Sequence, residues 1–221
     1  GVTKKTQKDV ERTYLETLDK LEQIFSQQNF LLGDKPCMAD FGFFASMFRH
    51  FGLDPTPARI MRDRAPSVYE WVARMWNAKS EKLTDKKWQY QAGQLPKNWV
   101  PLMEDICQIY LPYLSLNTEA FNNGEKYFNH STRGVEYKNL PVVPYRVWCR
   151  EELQRHFNEL SQGDRLKVTT TLRNLGGRDD FWLKREPQSN WDPDNQLPLC
   201  KPKREITFFE KIKFYFNGTP W

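Results

Sequence analysis

At 221 residues with 14% aromatics, eight of them Trp, the chain carries enough apolar material for a buried core and does not read as disordered. Its 33 basic residues are interleaved with 28 acidic ones for a net charge of +5, so the surface is mixed and nucleic acid is not expected as its primary ligand. Cys37, Cys107, Cys149 and Cys200 lie far apart without a CxxC pair, which argues against a zinc ribbon or a small disulfide scaffold.

In chain order, Val10, Tyr14, Leu18, Leu21 and Phe25 recur at helical spacing between about Thr6 and Gln27, with Leu15 and Ile24 widening the stripe. They predict an amphipathic helix that ends where Phe30-Leu31-Leu32-Gly33-Asp34 turns the chain. A second helix is predicted from Met38 to Phe51. Phe41, Phe43, Phe44, Met47, Phe48 and Phe51, with Ala39, Gly42 and Ala45, leave it almost without a polar side. Such a helix is expected at the centre of a bundle, with Gly42 and Ala45 admitting close neighbours. Asp54-Pro55-Thr56-Pro57 reads as its break. A third helix follows Ala65-Pro66, where proline is tolerated in the first turn, and Val68, Trp71, Val72 and Met75 form its stripe between Tyr69 and Trp76.

The polar stretch 79–97 is the expected linker between a helical core, 1–78, and further helices of the same domain, 98–177. Trp99 to about Ala120 reads as a helix kinked at Pro112. Arg133-Gly134 between Tyr127-Phe128 and Val142-Val143 suggests a short hairpin or extended crossover. Pro144 is placed to open a helix with Tyr145, Cys149, Leu153, Phe157 and Leu160 on one face. A last helix, about Asp164 to Leu175, stops at Gly176-Gly177. Residues 178–221 read as an irregular aromatic and basic tail.

The series "FLLGDKP", "CMADFGFF", "DPTPARIM" and "APSVYEWVARM" resembles the C-terminal helical domain of the glutathione S-transferase superfamily. Bacterial-type members with a long C-terminal half look most similar. The resemblance is close over 6–78 and loose over 96–177. It implies an all-α fold: a GST C-terminal-like helical bundle with a short hairpin insertion and an irregular tail. In that family Leu-Gly-x-x-Pro leads to Ser or Thr, two residues, and Asp; here these are Leu32-Gly33-Asp34-Lys35-Pro36, Cys37, Met38-Ala39 and Asp40. Physically this is a capping box, in which the two end residues satisfy each other's backbone N–H groups. Cys37 departs from it, because a thiol accepts weakly, and the cap is expected to be poorer by up to about 1 kcal/mol. The sharper alternative, a nucleophile activated at a helix N-terminus, is the less favoured reading of Cys37.

In glutathione transferases, the resemblance implies, a thioredoxin-like N-terminal domain binds glutathione and supplies the activating Tyr, Ser or Cys. The helical half lines the pocket for the second substrate. That βαβ unit is not among these 221 residues, so no catalytic, cofactor-binding or metal residue is carried over. Cys37 and Asp40 are retained as a structural helix cap, and glutathione is expected only if such a domain exists. Gly1, in place of a Met, is expected to mark a processing site, a vector scar or a cut within a longer protein. His50, His130 and His156 have no metal-ligand spacing, and Glu104-Asp105, Glu151-Glu152 and Asp179-Asp180 would point about 100° apart on a helix. "LGGRDDF" reads as a helix stop rather than a phosphate loop.

No apolar run reaches the roughly 18 residues of a membrane span, and no signal peptide is recognisable. Cysteine usage suggests an intracellular, reducing compartment, cytosol or mitochondrial matrix. The expected function is therefore a non-catalytic helical module within a larger assembly, docked on other protein chains through the tail 201–221. The alternative is the substrate-binding half of a transferase, which predicts an open apolar cleft on the helix bearing Tyr14 and Leu18.

Overall fold

Helices dominate, as expected, in a computed structural model that describes residues 2–87, 95–183 and 189–191. Helix α1 (Gln7–Phe25) buries Leu18, Leu21, Ile24 and Phe25, the C-terminal part of the predicted stripe. Tyr14 and Leu15 are half-buried, and Val10, expected on the same face, is exposed because the first turns have less core beneath them. Its Glu22 crosses to the start of α4 (Pro66–Trp76), where the carboxylate accepts from Ser67 N–H at 2.9 Å, Ser67 hydroxyl at 2.7 Å and Val68 N–H at 3.2 Å. Ala65 offers no side chain to cap α4, so a neighbouring helix satisfies the open donors instead. Arg64 reinforces the same junction through a two-pronged bond to Asp19.

Between α1 and α4 lie α2 (Met38–Ser46), continued by a π turn (Met47–Phe51), and α3 (Pro55–Arg64). The sequence reading took Asp54-Pro55-Thr56-Pro57 as a break alone; it is also a helix start. Pro55 occupies the first helical position, where its missing N–H costs nothing, and α3 buries Ala58 and Met61. The expectation for α2 is corrected too. Met47 is buried, and Phe43 and Phe44 pack on the core, but Met38 and Phe41 are 79% and 56% exposed. Gly42 and Ala45 are also exposed, and nothing lies within 4 Å of where a Gly42 Cβ would sit. The helix flanks the core rather than occupying its centre.

The expected helix from Trp99 runs as α5 (Val100–Asp105), a π turn (Ile106–Tyr110) and α6 (Leu111–Asn122), with the π turn just ahead of Pro112. Pro112 has no N–H for the preceding turn, and the wider turn absorbs the defect. Leu102 enters the first core, Trp99 donates its indole N–H to Leu31 C=O at 2.9 Å, and Lys20 of α1 pairs with Asp105.

Strands β1 (Tyr127–Thr132) and β2 (Val135–Pro141) form the antiparallel hairpin. Arg133 and Gly134 both have positive φ, 50° and 76°, the two-residue turn whose twist suits a hairpin. The hairpin is tied to α1: Arg133 bonds Glu16 at 2.7 Å, and Asp9 accepts from Tyr137 and Arg12. Burial alone would raise the Asp9 pKa; the Tyr137 and Arg12 bonds and the Arg133 charge outweigh it and hold that carboxyl below its ordinary value.

Helix α7 (Pro144–Glu159) starts where predicted but turns a different face inward. Val147, Arg150, Gln154 and Phe157 are buried, while Tyr145, Leu153 and Leu160 are exposed. Apolar spacing misplaced this face because two of its buried positions are polar: Gln154 donates to Phe181 C=O at 2.7 Å, and the Arg150 guanidinium lies 5.0 Å above the Phe181 ring. Helix α8 (Gln162–Asn174) is capped by the Ser161 hydroxyl and ends at Gly176 (φ 83°), with Gly177 N–H bonded to Leu172 C=O at 2.8 Å. That is a Schellman stop, as "LGGRDDF" suggested. A single-turn α9 (Asp180–Leu183) puts Phe181 into a second small core with Leu111 and Leu114. The tail 201–221, including "EITFFEKIKFYF", lies outside the described residues. Among those described, no helix is long and apolar enough to cross a membrane.

Candidate functional site

Two neighbouring features of α2 come first, a buried node at its N-terminus and an exposed apolar face. The node begins in the loop that the family-like motif occupies. Phe30 and Gly33 exchange backbone bonds at 2.8 and 3.1 Å, and the Gln28 side chain caps Phe30 C=O and Leu31 C=O at 2.9 and 2.6 Å. This lets a loop containing Leu31, 0% exposed, enter the core without stranded carbonyls.

Cys37 and Asp40 are brought together there. Asp40 is fully buried; its Oδ2 accepts from Cys37 N–H at 2.8 Å, and its Oδ1 accepts from Leu31 N–H and from Trp71 Nε1 at 3.0 Å each. Asp40 N–H in turn bonds Cys37 C=O at 3.0 Å, with the thiol alongside as a second, weaker acceptor. The carboxylate therefore ties loop, α2 and α4 together. Its bond to Trp71 went unpredicted, although a buried indole N–H needs an acceptor and could have been matched to a buried acid.

The three thiols among the described residues, Cys37, Cys107 and Cys149, are free, and burial pushes each of them up from the ordinary value. That is opposite to the depression an activated nucleophile needs. Tyr14 is likewise pushed up to about 12 by burial and donates its hydroxyl to Pro57 C=O at 2.9 Å. His50 and His156 are exposed. His130 is buried between strands and α6, with the edge of its ring against Tyr113, and burial lowers its pKa. Among the described residues, no three His, Cys, Asp or Glu side chains are grouped to hold a metal ion.

Among the described residues, the two positions expected to open a cleft on α1 are covered: Tyr14 stacks on Phe51 at 4.5 Å, and Leu18 is 0% exposed. The open apolar surface belongs to α2 instead. Met38, Phe41, Gly42 and Ala45 lie on one outward stripe, spaced as one helix face requires. Beside them an aromatic ladder runs outward from the core. Phe44 meets Trp71 edge-on at 6.3 Å and stacks on Phe48 at 5.4 Å; Phe48 stacks on Trp76 at 4.6 Å, and Trp76 is 65% exposed. Phe44 and Phe48 are half-buried and packed against the core, so the edge they present needs little ordering when something covers it.

A groove of about 460 Å³ lies elsewhere, between α6, α7 and α9, lined by Cys107, Ser115, Glu119, Arg150, Asp180 and Phe181 among others. It mixes charges of both signs, and burial and the Glu104 charge both push its Cys107 thiol up.

The family described as "Glutathione S-transferase, C-terminal domain" matches residues 2–79, which take in α1 to α4, the node and the open face. Neither the curated proteins nor the solved structures contain a match to the chain.

Proposed function

We propose, from the premise that residues 2–79 are a glutathione S-transferase C-terminal helical domain, that the chain acts as a non-catalytic helical module in a larger assembly. The observation that carries this reading is the outward stripe of α2, where Met38 and Phe41 are 79% and 56% exposed on a helix whose other side is packed in the core. A contiguous apolar face on a rigid element is what a protein partner covers. Burial pushes the Cys37, Cys107 and Cys149 thiols up, which speaks against activated nucleophiles at these three positions, and free thiols suit a reducing compartment. Cys37 and Asp40 serve structure in this reading. Docking through 201–221 rests on composition alone.

A second reading, the substrate-binding half of a glutathione transferase, is favoured by the family match itself. The same stripe would then seat a thioredoxin-like domain. One experiment separates the two. A photo-crosslinking benzoyl-phenylalanine is placed at position 41 and, as control, at position 138, in the natural host. We expect a discrete crosslinked species from position 41 and none from position 138. If that species contains a thioredoxin-like domain, the second reading replaces the first. If position 41 gives no crosslink, the docking face is refuted.

A further inference from the structure

A cleft of about 470 Å³ separates the loop carrying Asn29, Phe30 and Asp34 from the last turn of α4 and the turns that follow it. Its charged lining is one-sided. Arg74, Lys79, Lys82 and Lys86 face it against a single carboxylate, Asp34, an excess of three positive charges. Glu81 and Asp85 alternate with these lysines along the chain but do not line the cleft. The one acid present is already engaged, since Asp34 accepts from the Asn29 side chain at 2.7 Å. Arg74 is held in place by its bond to Asn29 C=O at 2.7 Å, while its contact with Glu70 is stretched to 4.0 Å. Among the described residues, Lys79, Lys82 and Lys86 form no ion pair, unlike Lys20, Lys138 and Lys167.

Concentrating unpaired cations around a concavity raises the local potential and draws in anions carrying several charges. Part of the lining is apolar: Phe30 is 3% exposed, and the half-buried Ala78 and Leu83 line the cleft with it. Lysines act as point charges on phosphate oxygens, and the one guanidinium adds directional donors. The size falls in the range of small-molecule sites. A nucleic-acid strand would need aromatic faces open for base stacking, whereas Phe30, the aromatic ring among the described lining residues, is buried.

We propose that this cleft binds the di- or triphosphate group of a small phosphate ester, with Arg74 and Asn29 fixing one wall and Lys79, Lys82 and Lys86 closing round the anion. The site is separate from the α2 stripe, and its failure leaves the docking reading untouched.

The test titrates inorganic tripolyphosphate into the full chain by calorimetry at low and near-physiological salt. Lys79→Glu/Lys82→Glu/Lys86→Glu is compared with Lys4→Glu/Lys8→Glu/Lys126→Glu, which changes net charge equally on exposed lysines elsewhere. We expect the cleft variant to lose at least about tenfold in affinity and the control less than about twofold, both effects shrinking with salt. The neutral Lys79→Gln/Lys82→Gln/Lys86→Gln variant, expected to fold as the parent does, should show an intermediate loss. Equal losses in cleft and control variants would mean unspecific charge attraction and overturn the site. So would no measurable binding by the parent, or tighter binding of a single-stranded oligonucleotide that the cleft variant leaves unchanged.

Discussion

Replacing Asp40 by Ala is the most informative perturbation of this fold. The carboxylate is fully buried and accepts three hydrogen bonds, from Cys37 N–H at 2.8 Å and from Leu31 N–H and Trp71 Nε1 at 3.0 Å each. Leu31 N–H and Trp71 Nε1 are buried and Cys37 N–H is half-buried, so Asp40→Ala strands two donors outright and the third in part. A stranded buried donor costs about 1–3 kcal/mol, and partial relaxation or an entering water recovers some of that. The expected loss is about 3–5 kcal/mol, a large share of the roughly 5–15 kcal/mol that holds a domain folded.

Asp40→Asn keeps Oδ1 for Leu31 and Trp71 but turns an NH2 toward Cys37 N–H, so about 1.5–3 kcal/mol is expected. Trp71→Phe keeps an aromatic ring beside Phe25, 4.6 Å away, and removes the donor together with part of the buried ring, a cavity cost that the double variant shares. If Asp40 acts by satisfying Trp71, the double variant Asp40→Ala/Trp71→Phe is less destabilised than the two single losses added together, by about 1–2 kcal/mol. Urea unfolding followed by far-UV circular dichroism measures the parent and all four variants. A loss under about 1 kcal/mol for Asp40→Ala, or strict additivity in the double variant, refutes the node as an organising contact.

Two further outcomes follow from single residues. Cys37→Ser restores a good acceptor at the cap and is expected to leave stability equal or raise it by up to about 1 kcal/mol, read in the same urea unfolding; a clear loss would show that the thiol fills its slot better than it caps. Burial lowers the His130 pKa below its unfolded value near 6.5, so the unfolded chain takes up the proton first. Stability is therefore expected to fall as pH drops from above about 6.5 toward the folded pKa, and a His130→Leu variant to lose that slope in thermal melts at stepped pH; an unchanged slope assigns it to other groups.

Where one residue type answers to one local rule, the sequence was legible. Leu18, Leu21 and Phe25 marked the buried side of α1, Arg133-Gly134 marked the hairpin turn, and Gly176-Gly177 marked the end of α8. Those features depend on period, on positive φ and on backbone bonds a few residues apart. The cap was legible as a motif, and its third partner was not, because Trp71 lies 31 residues from Asp40. Arg133 is similarly silent in sequence: its reach to Glu16 spans 117 residues. On α7 the periodic rule failed because Arg150 and Gln154 are buried with partners, and apolarity alone cannot register a satisfied polar group. Pro55 and Pro57 misled in the opposite direction, since the residue that ends one helix is also permitted at the first turn of the next.

The failure at α2 has a different origin and bears on function. An all-apolar helix states a demand for contact on every side; it does not state who supplies it. Phe43, Phe44 and Met47 join the core cluster, whereas Met38, Phe41 and Ala45 are exposed and lie outside it. Had these outward positions been polar, the fold of residues 2–79 would have suffered little, because their side chains add nothing to its core. Apolar residues where folding does not require them are a cost in solubility, and a partner surface is what offsets it. The mismatch between what α2 offers and what its own domain uses is therefore the physical ground for reading this domain as one piece of a larger assembly.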